Sequence, residues 1–368
     1  RAALTFSCAF IIIVGEYFVN LTIVAFPRFL GERFGLFRSV EIINSKLIGT
    51  GACIPDFVLT NAMLEKMVDT NDEWIVQRTG VRERRIAKNT HTWELALGAA
   101  QDALADAGIT AEKLDLILVS TCSPDTNTPN TASILQDKLG ARQVGAFDIN
   151  NACTGFVSAT DIADSYIKSG KAKTVLVVSA ETLSRIVDYT DRSTCILFGD
   201  GAAAAVYQAT EDETVGILST FTAADGSGAE YLHMEALPVE DPLSGDRTVD
   251  PKARFLKMQG APVVRFTARA VPLAIDTALK RAGVTAEEID WVVPHQANLR
   301  ILDVIARRYH LPKEKIYVNM DRFGNTSSAS VPICLNEMRR NGLLREGQTI
   351  VCTGFGGGLT YGAFVLKL

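Results

Sequence analysis

An α/β fold assembled from two related halves is predicted by three features of this sequence. Residues 103–115 (ALADAGITAEKLD) and 278–290 (ALKRAGVTAEEID) are identical at eight of thirteen positions, at a spacing of 175. The same shift places the apolar run 174–178 (TVLVV) on 349–353 (TIVCT). Each copy of the repeat reads as the end of an amphipathic helix, a stop glycine, a capped acidic turn and a strand. Those strands are 116–120 (LILVS) and 291–294 (WVVP). Short apolar runs of this kind belong in buried sheets. Alternating strands and helices imply mostly parallel sheets with helices on their faces. Ligands then gather at the C-terminal strand ends, and two packed halves bring equivalent ends to one cleft.

The first element stands apart. Residues 1–45 hold 27 apolar residues and seven of the 17 phenylalanines. The stretch 8–27 has the length of a membrane span and one charge, Glu16, with Arg28, Arg33 and Arg38 behind it. A signal anchor with cytoplasmic arginines would look like this. A cleaved signal peptide fits poorly, since the basic start is one residue and no small-x-small site follows. The chain starts with Arg and has no Met before Met63, as an upstream in-frame translation, a fragment or a fusion scar would. The texture changes at 44–46. The expected organisation is therefore a hydrophobic extension over 1–45 outside the main fold, a first half over 46–215 and a second over 216–368.

Composition narrows the function classes. Apolar residues make up 47% and charged ones 21%, which suits a large core and argues against disorder. A net charge of −5 argues against an electrostatic nucleic-acid binder. Seven cysteines, without a C-x-x-C pair, and four scattered histidines suggest neither a disulfide framework nor a zinc site. A reduced, cytoplasmic compartment is the expectation.

Three loops after predicted strands carry chemistry. In 147–156 (FDINNACTGF), Cys153 precedes a helix-like segment, 156–168, ending at Gly170. A thiol at a helix N-terminus is expected to have a lowered pKa. In 293–300 (VPHQANLR), His295 leaves a duplicated strand; in 323–330 (FGNTSSAS), Asn325 sits among small residues. A Cys nucleophile can form a thioester, and His and Asn can donate hydrogen bonds to a developing enolate oxygen. The glycine-rich 355–359 (FGGGL) lacks the G-x-G-x-x-G spacing and following helix of a phosphate loop, and its N–H groups suit an oxyanion hole with that of Cys153. Taken singly, each feature has a plainer reading: a buried structural Cys, a structural His, an ordinary turn.

Together these residues resemble the thiolase superfamily, and within it the β-ketoacyl-[acyl-carrier-protein] synthase III family. The likeness runs from about Lys46 to Leu368. It includes 45–61 (SKLIGTGACIPDFVLTN), 69–85 (DTNDEWIVQRTGVRERR), 197–206 (LFGDGAAAAV), 294–301 (PHQANLRI), 324–332 (GNTSSASVP) and the final GFGGGLTYG. The resemblance implies a five-layer αβαβα fold, a homodimer, and the first condensation of type II fatty acid synthesis. An acyl-CoA, typically acetyl-CoA, would acylate the Cys, and malonyl-acyl carrier protein (malonyl-ACP) would then condense with it to a 3-oxoacyl-ACP. No metal or redox cofactor is implied; coenzyme A is substrate and product.

By position, the resemblance makes Cys153 the nucleophile and His295 and Asn325 the enolate donors. The amides of Cys153 and Gly357 match the oxyanion hole, and Phe355 shields the site. Trp74 and Arg192 match residues that sandwich the CoA adenine, with Arg78 and Thr79 beside them; Asn298 matches a pantetheine contact. Gln296, Ala297, Asn298, Leu299 and Arg300, with Arg265, match the carrier-protein docking positions, basic groups that suit an acidic partner. Two departures stand out. Residues 260–266 (GAPVVRF) replace a common GNEVF-[KR] pattern, with Ala261 and Pro262 for polar residues. Thr128 stands where a dimer mate often inserts Phe at the floor of the acyl pocket, which suggests tolerance of longer primers. A degradative thiolase would need a second Cys at position 354, which is Gly354. A sister enzyme priming polyketide or alkylquinolone synthesis would share the triad, whereas an inactive acyl-binding homologue would not need it intact.

Overall fold

The computed structural model describes residues 43–236, 243 and 251–368, together with the backbone of Ser7–Val14 and Tyr17–Val24. Those two stretches pair as an antiparallel hairpin. The side chains of the apolar run 8–27, and the reading of it as an anchor or a foreign segment, lie outside the described residues. The compact unit that follows spans Ile43–Leu368. Among the described residues no helix is long and apolar enough to cross a membrane.

Among the described residues, nine strands form the two larger sheets. The first has β1 (Asn44–Cys53), β2 (Leu116–Ser120), β3 (Gly145–Ile149), β4 (Thr174–Glu181) and β5 (Gly201–Thr210), in the order β1-β5-β4-β2-β3. The second has β6 (Gly216–Ala224), β7 (Trp291–Pro294), β8 (Thr349–Gly356) and β9 (Thr360–Lys367), in the order β6-β9-β8-β7. The duplication is therefore visible in topology. The pairs β4–β2 and β8–β7 are parallel, whereas β5 and β9 run antiparallel to both neighbours. Where β3 extends the first sheet, the second has a single bridge, Val292 to Ile316.

The expectation of mostly parallel sheets is thus corrected to mixed ones. Residues 357–359 are the whole connection between β8 and β9, and a parallel pair needs a crossover of a dozen residues or more.

The repeat builds the same corner twice. After α1 (Asp72–Thr79), helix α2 (Thr92–Ala107) stops at Gly108 and α5 (Gly260–Ala282) at Gly283, both left-handed with φ of 67°. A 3-10 turn follows each, then β2 or β7. Asp115 accepts the Thr174 N–H at 2.9 Å, and its equivalent Asp290 accepts the Thr349 N–H at 2.8 Å. Each carboxylate thereby ties one duplicated strand to the next.

Strand alternation sets the layers. Val175 and Val177 of β4, with Ile350 and Cys352 of β8, face a central core with α4 (Gly155–Lys168) and α7 (Ser330–Arg340). Leu176 and Val178 face α2 and α3 (Thr131–Leu139). Val351 and Val365 face α5 and α6 (Leu299–Arg308). The result is helix, sheet, helix, sheet, helix. Cys352 is fully buried in that central packing.

Candidate active site

Cys153 stands where β3 gives way to α4. The chain turns through Ala152, which holds φ +42°, and Cys153 occupies the 3-10 turn Ala152–Thr154 that opens the helix. A non-glycine residue there is strained and stays only where its surroundings hold it. They do: Asn151 donates to the Ser158 hydroxyl at 2.7 Å, and the Thr154 and Thr360 hydroxyls meet at 2.9 Å. The end of β8 lies directly against the nucleophile. A Cβ on Gly356 would come within 2.7 Å of the Cys153 Cβ and 3.0 Å of its Sγ, so only glycine fits.

The thiol is 7% exposed. Burial pushes it up to about 12; the Glu181 carboxylate adds to this, and the Ser327 hydroxyl opposes it. This corrects the expectation of a lowered pKa. The helix N-terminus is present, but removal from water outweighs it.

His295 extends β7. Its N–H donates to the Thr353 carbonyl at 2.8 Å, which continues the parallel ladder one residue past the strand. The ring is 1% exposed, meets Phe355 edge-on at 5.1 Å, and has Nδ1 at 2.7 Å from the Ser330 hydroxyl. Burial pulls its pKa from 6.5 down to about 3.

A stability signature follows from that pKa. Between pH 6.5 and 3 the unfolded imidazole binds a proton that the folded one refuses, so stability falls as pH drops through this window. The contribution is on the order of 4 kcal/mol. Urea unfolding at pH 7 and pH 4 should show a smaller drop for His295→Asn than for the unmodified protein. Equal drops would refute it.

Asn325 is held at both backbone atoms. Its N–H donates to the Leu197 carbonyl at 2.8 Å and its carbonyl accepts the Gly199 N–H at 3.0 Å. Its side-chain Oδ1 accepts the Ser327 N–H at 2.8 Å, so the amide presents its NH₂ as the remaining donor.

Two cavities meet at the cysteine. One, of about 150 Å³, is lined by Cys153, His295, Asn325, Phe355, Asn298 and Val263 among others. The other, of about 340 Å³, is lined by Cys153 with apolar Leu183, Ile186, Leu232, Met234 and Leu256, and reaches Gly357. The arrangement fits a thiol acylated by a chain entering one side, with two hydrogen-bond donors awaiting a second reactant on the other.

This chain is 45% identical over 324 residues to the β-ketoacyl-[acyl-carrier-protein] synthase III of Clostridium novyi, covering 88% of this chain and 99% of that one. The chain belongs to the β-ketoacyl-[acyl-carrier-protein] synthase III family. It is therefore an acyltransferase, an initiating condensing enzyme. Family models described as 3-oxoacyl-[acyl-carrier-protein (ACP)] synthase III match residues 147–226, and its C-terminal part 279–368. The crystal structure of the Aquifex aeolicus synthase III superposes with a TM-score of 0.82 at 46% identity, covering 88% of this chain and 100% of that one. The priming β-ketosynthase of the R1128 polyketide pathway gives 0.80 at 37% identity, covering 90% and 98%. These likenesses show the thiolase-type fold.

The positions transferred by resemblance fall into three groups. Trp74, Arg78 and Arg192 cluster: both guanidinium centres lie 4.8 Å from the Trp74 ring centroid. Asn298 joins that cluster to the cavity, since its amide donates to the Arg78 carbonyl at 2.9 Å and its Oδ1 accepts the Arg300 N–H. Arg265, Leu299 and Arg300 are exposed, and Ala297 is half-buried.

Gln296 differs from its neighbours. It is 1% exposed, donates to the Pro294 and Tyr317 carbonyls and accepts the Asn319 N–H. Its side chain braces the loop under His295. Thr79 is also buried, with its hydroxyl bonded to the Ile75 carbonyl and the Val81 N–H. Thr128 is exposed on the loop before α3 and lines neither cavity.

Sequence reasoning missed Glu181. Buried at the end of β4, it accepts from the Ser123 and Ser328 hydroxyls at 2.8 and 2.7 Å and from the Cys122 N–H. It thereby binds the loop after β2 to the loop that carries Asn325. An acidic residue closing an apolar duplicated strand was the available signal.

Proposed function

We propose that this enzyme transfers an acyl group from acyl-CoA to Cys153 and condenses it with malonyl-ACP. The carrying observation is that Cys153, His295 and Asn325 line one cavity, with the Asn325 amide turned to donate. In the first half-reaction the Cys153 sulfur bonds to the acyl carbon as the bond to the CoA sulfur breaks. The resting thiol is protonated, so its proton leaves as the new bond forms and ends on the departing CoA thiolate. The N–H groups opening α4 favour the charge on sulfur while it develops. The Cys153 and Gly357 amides receive the tetrahedral oxyanion.

In the second half-reaction the malonyl carbon–carboxyl bond breaks and CO₂ leaves. His295 and Asn325 hold the enolate oxygen while its carbon attacks the Cys153 thioester. The sulfur leaves, regains a proton, and 3-oxoacyl-ACP departs. In this reading coenzyme A and the carrier protein are substrates, and no resident metal or redox group takes part. Trp74 and Arg192 would take the adenine between them, replacing their mutual contact, with Arg78 alongside. Arg265, Leu299 and Arg300 would meet an acidic carrier surface. The working unit would be a homodimer, each chain carrying its 46–215 and 216–368 halves, with Thr128 reaching the mate's acyl cavity.

The apolar cavity beside Cys153 far exceeds an acetyl group, which has the bulk of two or three waters at roughly 30 Å³ each. Each methylene buried there adds up to about 0.8 kcal/mol, or about fourfold in preference. Intact-protein mass spectrometry after exposure to mixed acyl-CoAs should show Cys153 adducts whose ranking climbs beyond acetyl. Equal exclusion of butyryl- to octanoyl-CoA would overturn the longer-primer reading; no adduct at all would overturn the acylation step. Turnover with a polyketide carrier but none with a fatty-acid carrier would favour the sister priming role, to which the likeness to the R1128 enzyme gives weight.

A further inference from the structure

Glu181, fully buried at the end of β4, takes hydrogen bonds from two loops far apart in sequence. Its Oε2 accepts the Ser123 hydroxyl at 2.8 Å and the Cys122 N–H at 3.1 Å, both from the loop after β2. Its Oε1 accepts the Ser328 hydroxyl at 2.7 Å, from the loop that carries Asn325. Taking a carboxyl out of water costs stability. What a satisfied buried network of this kind yields is a fixed placement of its members.

The part placed here is the turn beside Asn325. The backbone of Asn325 is paired on both sides, with Leu197 and with Gly199. Ser327 then holds φ +49°, strained for a non-glycine residue, and donates its N–H to Asn325 Oδ1 at 2.8 Å. Such a setting lasts only where the surroundings hold it. The Leu197 and Gly199 bonds hold the turn before Ser327, and the bond from Ser328 to Glu181 holds it after. We propose that Glu181 is a positioning residue: through Ser328 it pins the turn that aims the Asn325 amide into the cavity shared with Cys153. The catalytic part of this inference rests on the enolate-donor reading above.

The nucleophile is supported separately. Gly155 at the start of α4 packs on the Ser328 Cβ, since a Cβ on Gly155 would come within 3.3 Å of it. Alanine at 328 keeps that carbon. Ser328→Ala therefore cuts the clamp and leaves the packing under α4 intact, so its effect belongs to the half-reaction that uses Asn325.

The test reads both half-reactions and amide exchange on the intact enzyme. Ser328→Ala and Glu181→Ala should each slow malonyl-ACP decarboxylation by roughly 10- to 100-fold, the scale of a catalytic group displaced by about an ångström. Acylation of Cys153 by acetyl-CoA should stay close to normal in Ser328→Ala. The double variant should be no slower than Glu181→Ala, because the two residues act through one bond. In Ser328→Ala, peptides covering 325–330 should exchange roughly tenfold faster, the worth of one buried hydrogen bond, with β2 and β4 unchanged. Glu181→Gln keeps an oxygen for Ser123 and Cys122 and turns its NH₂ to the Ser328 oxygen, so it should restore most of the rate.

Losses shared equally by both half-reactions, or exchange that rises across the whole sheet, overturn the proposal. So does a Gln variant as slow as Ala, which would make charge and not placement the role of the carboxyl. Asn325→Ala separates this inference from the reading beneath it. Where Asn325→Ala is slow, normal decarboxylation in Ser328→Ala overturns the clamp and leaves the enolate role standing. Where Asn325→Ala is itself normal, the enolate role falls, and local exchange in Ser328→Ala decides whether Glu181 pins the turn. If Glu181→Ala does not fold, Ser328→Ala and Glu181→Gln still decide.

Discussion

Cys153→Ala should yield no acyl adduct on exposure to acyl-CoA, and its condensation rate should fall at least about 10⁴-fold. The loss is large because no other group can take over. Cys122 lines the same apolar cavity, but burial and the Glu181 carboxylate push its thiol well above the ordinary range. The Cys153 thiol is itself protonated at rest, so its reactivity comes from its place: the opening turn of α4, with Gly356 of β8 packed directly against it. Decarboxylation asks nothing of the sulfur. The Ala variant should therefore still release CO₂ from malonyl-ACP, driven by His295 and Asn325. Mass spectrometry and CO₂ release read the two halves separately. An adduct forming at the normal rate would place the nucleophile elsewhere.

Asn325→Asp should lower decarboxylation by roughly 10²- to 10³-fold or more, the scale of losing one preorganised oxyanion donor. The substitution keeps the shape and the acceptor that binds the Ser327 N–H. It replaces the free NH₂ with an oxygen that can only repel the enolate. Asn325→Ala removes the donor without adding charge and should lose less. Acylation by acyl-CoA should change little in either variant. Single-turnover measurement of each half-reaction decides; equal losses for Asp and Ala would mean the amide merely fills space.

Much of this site could be read along the chain because repeats and loops are local. The shift of 175 residues located the strand end before His295; Cys153 follows β3, outside the repeat, and Asn325 follows a helical turn, Met320–Phe323, where a strand exit was expected. The stop glycines and the Asp115 and Asp290 clamps likewise follow from residues close in sequence to what they organise. Gln296 shows the limit. Beside His295 in a docking-like segment it looks exposed, but its amide is turned inward by the Tyr317 carbonyl and the Asn319 N–H, more than twenty residues away. Glu181 shows the same limit: an acidic end to β4 is visible along the chain, but its partners Ser123 and Ser328 come beside it only in the folded molecule.

The sequence by itself determined a duplicated α/β chain with a Cys–His–Asn set in its loops, because periodicity, glycine stops and small-residue loops are encoded within a few residues of each other. Tertiary structure alone decided strand direction, and it decided protonation. A three-residue link makes β8 and β9 antiparallel, whatever their apolar character. Burial between two sheets holds the thiol protonated and the imidazole neutral, against what a helix N-terminus alone would suggest. The cost of removing charge from water depends on everything packed around a group, and no local stretch of sequence specifies that.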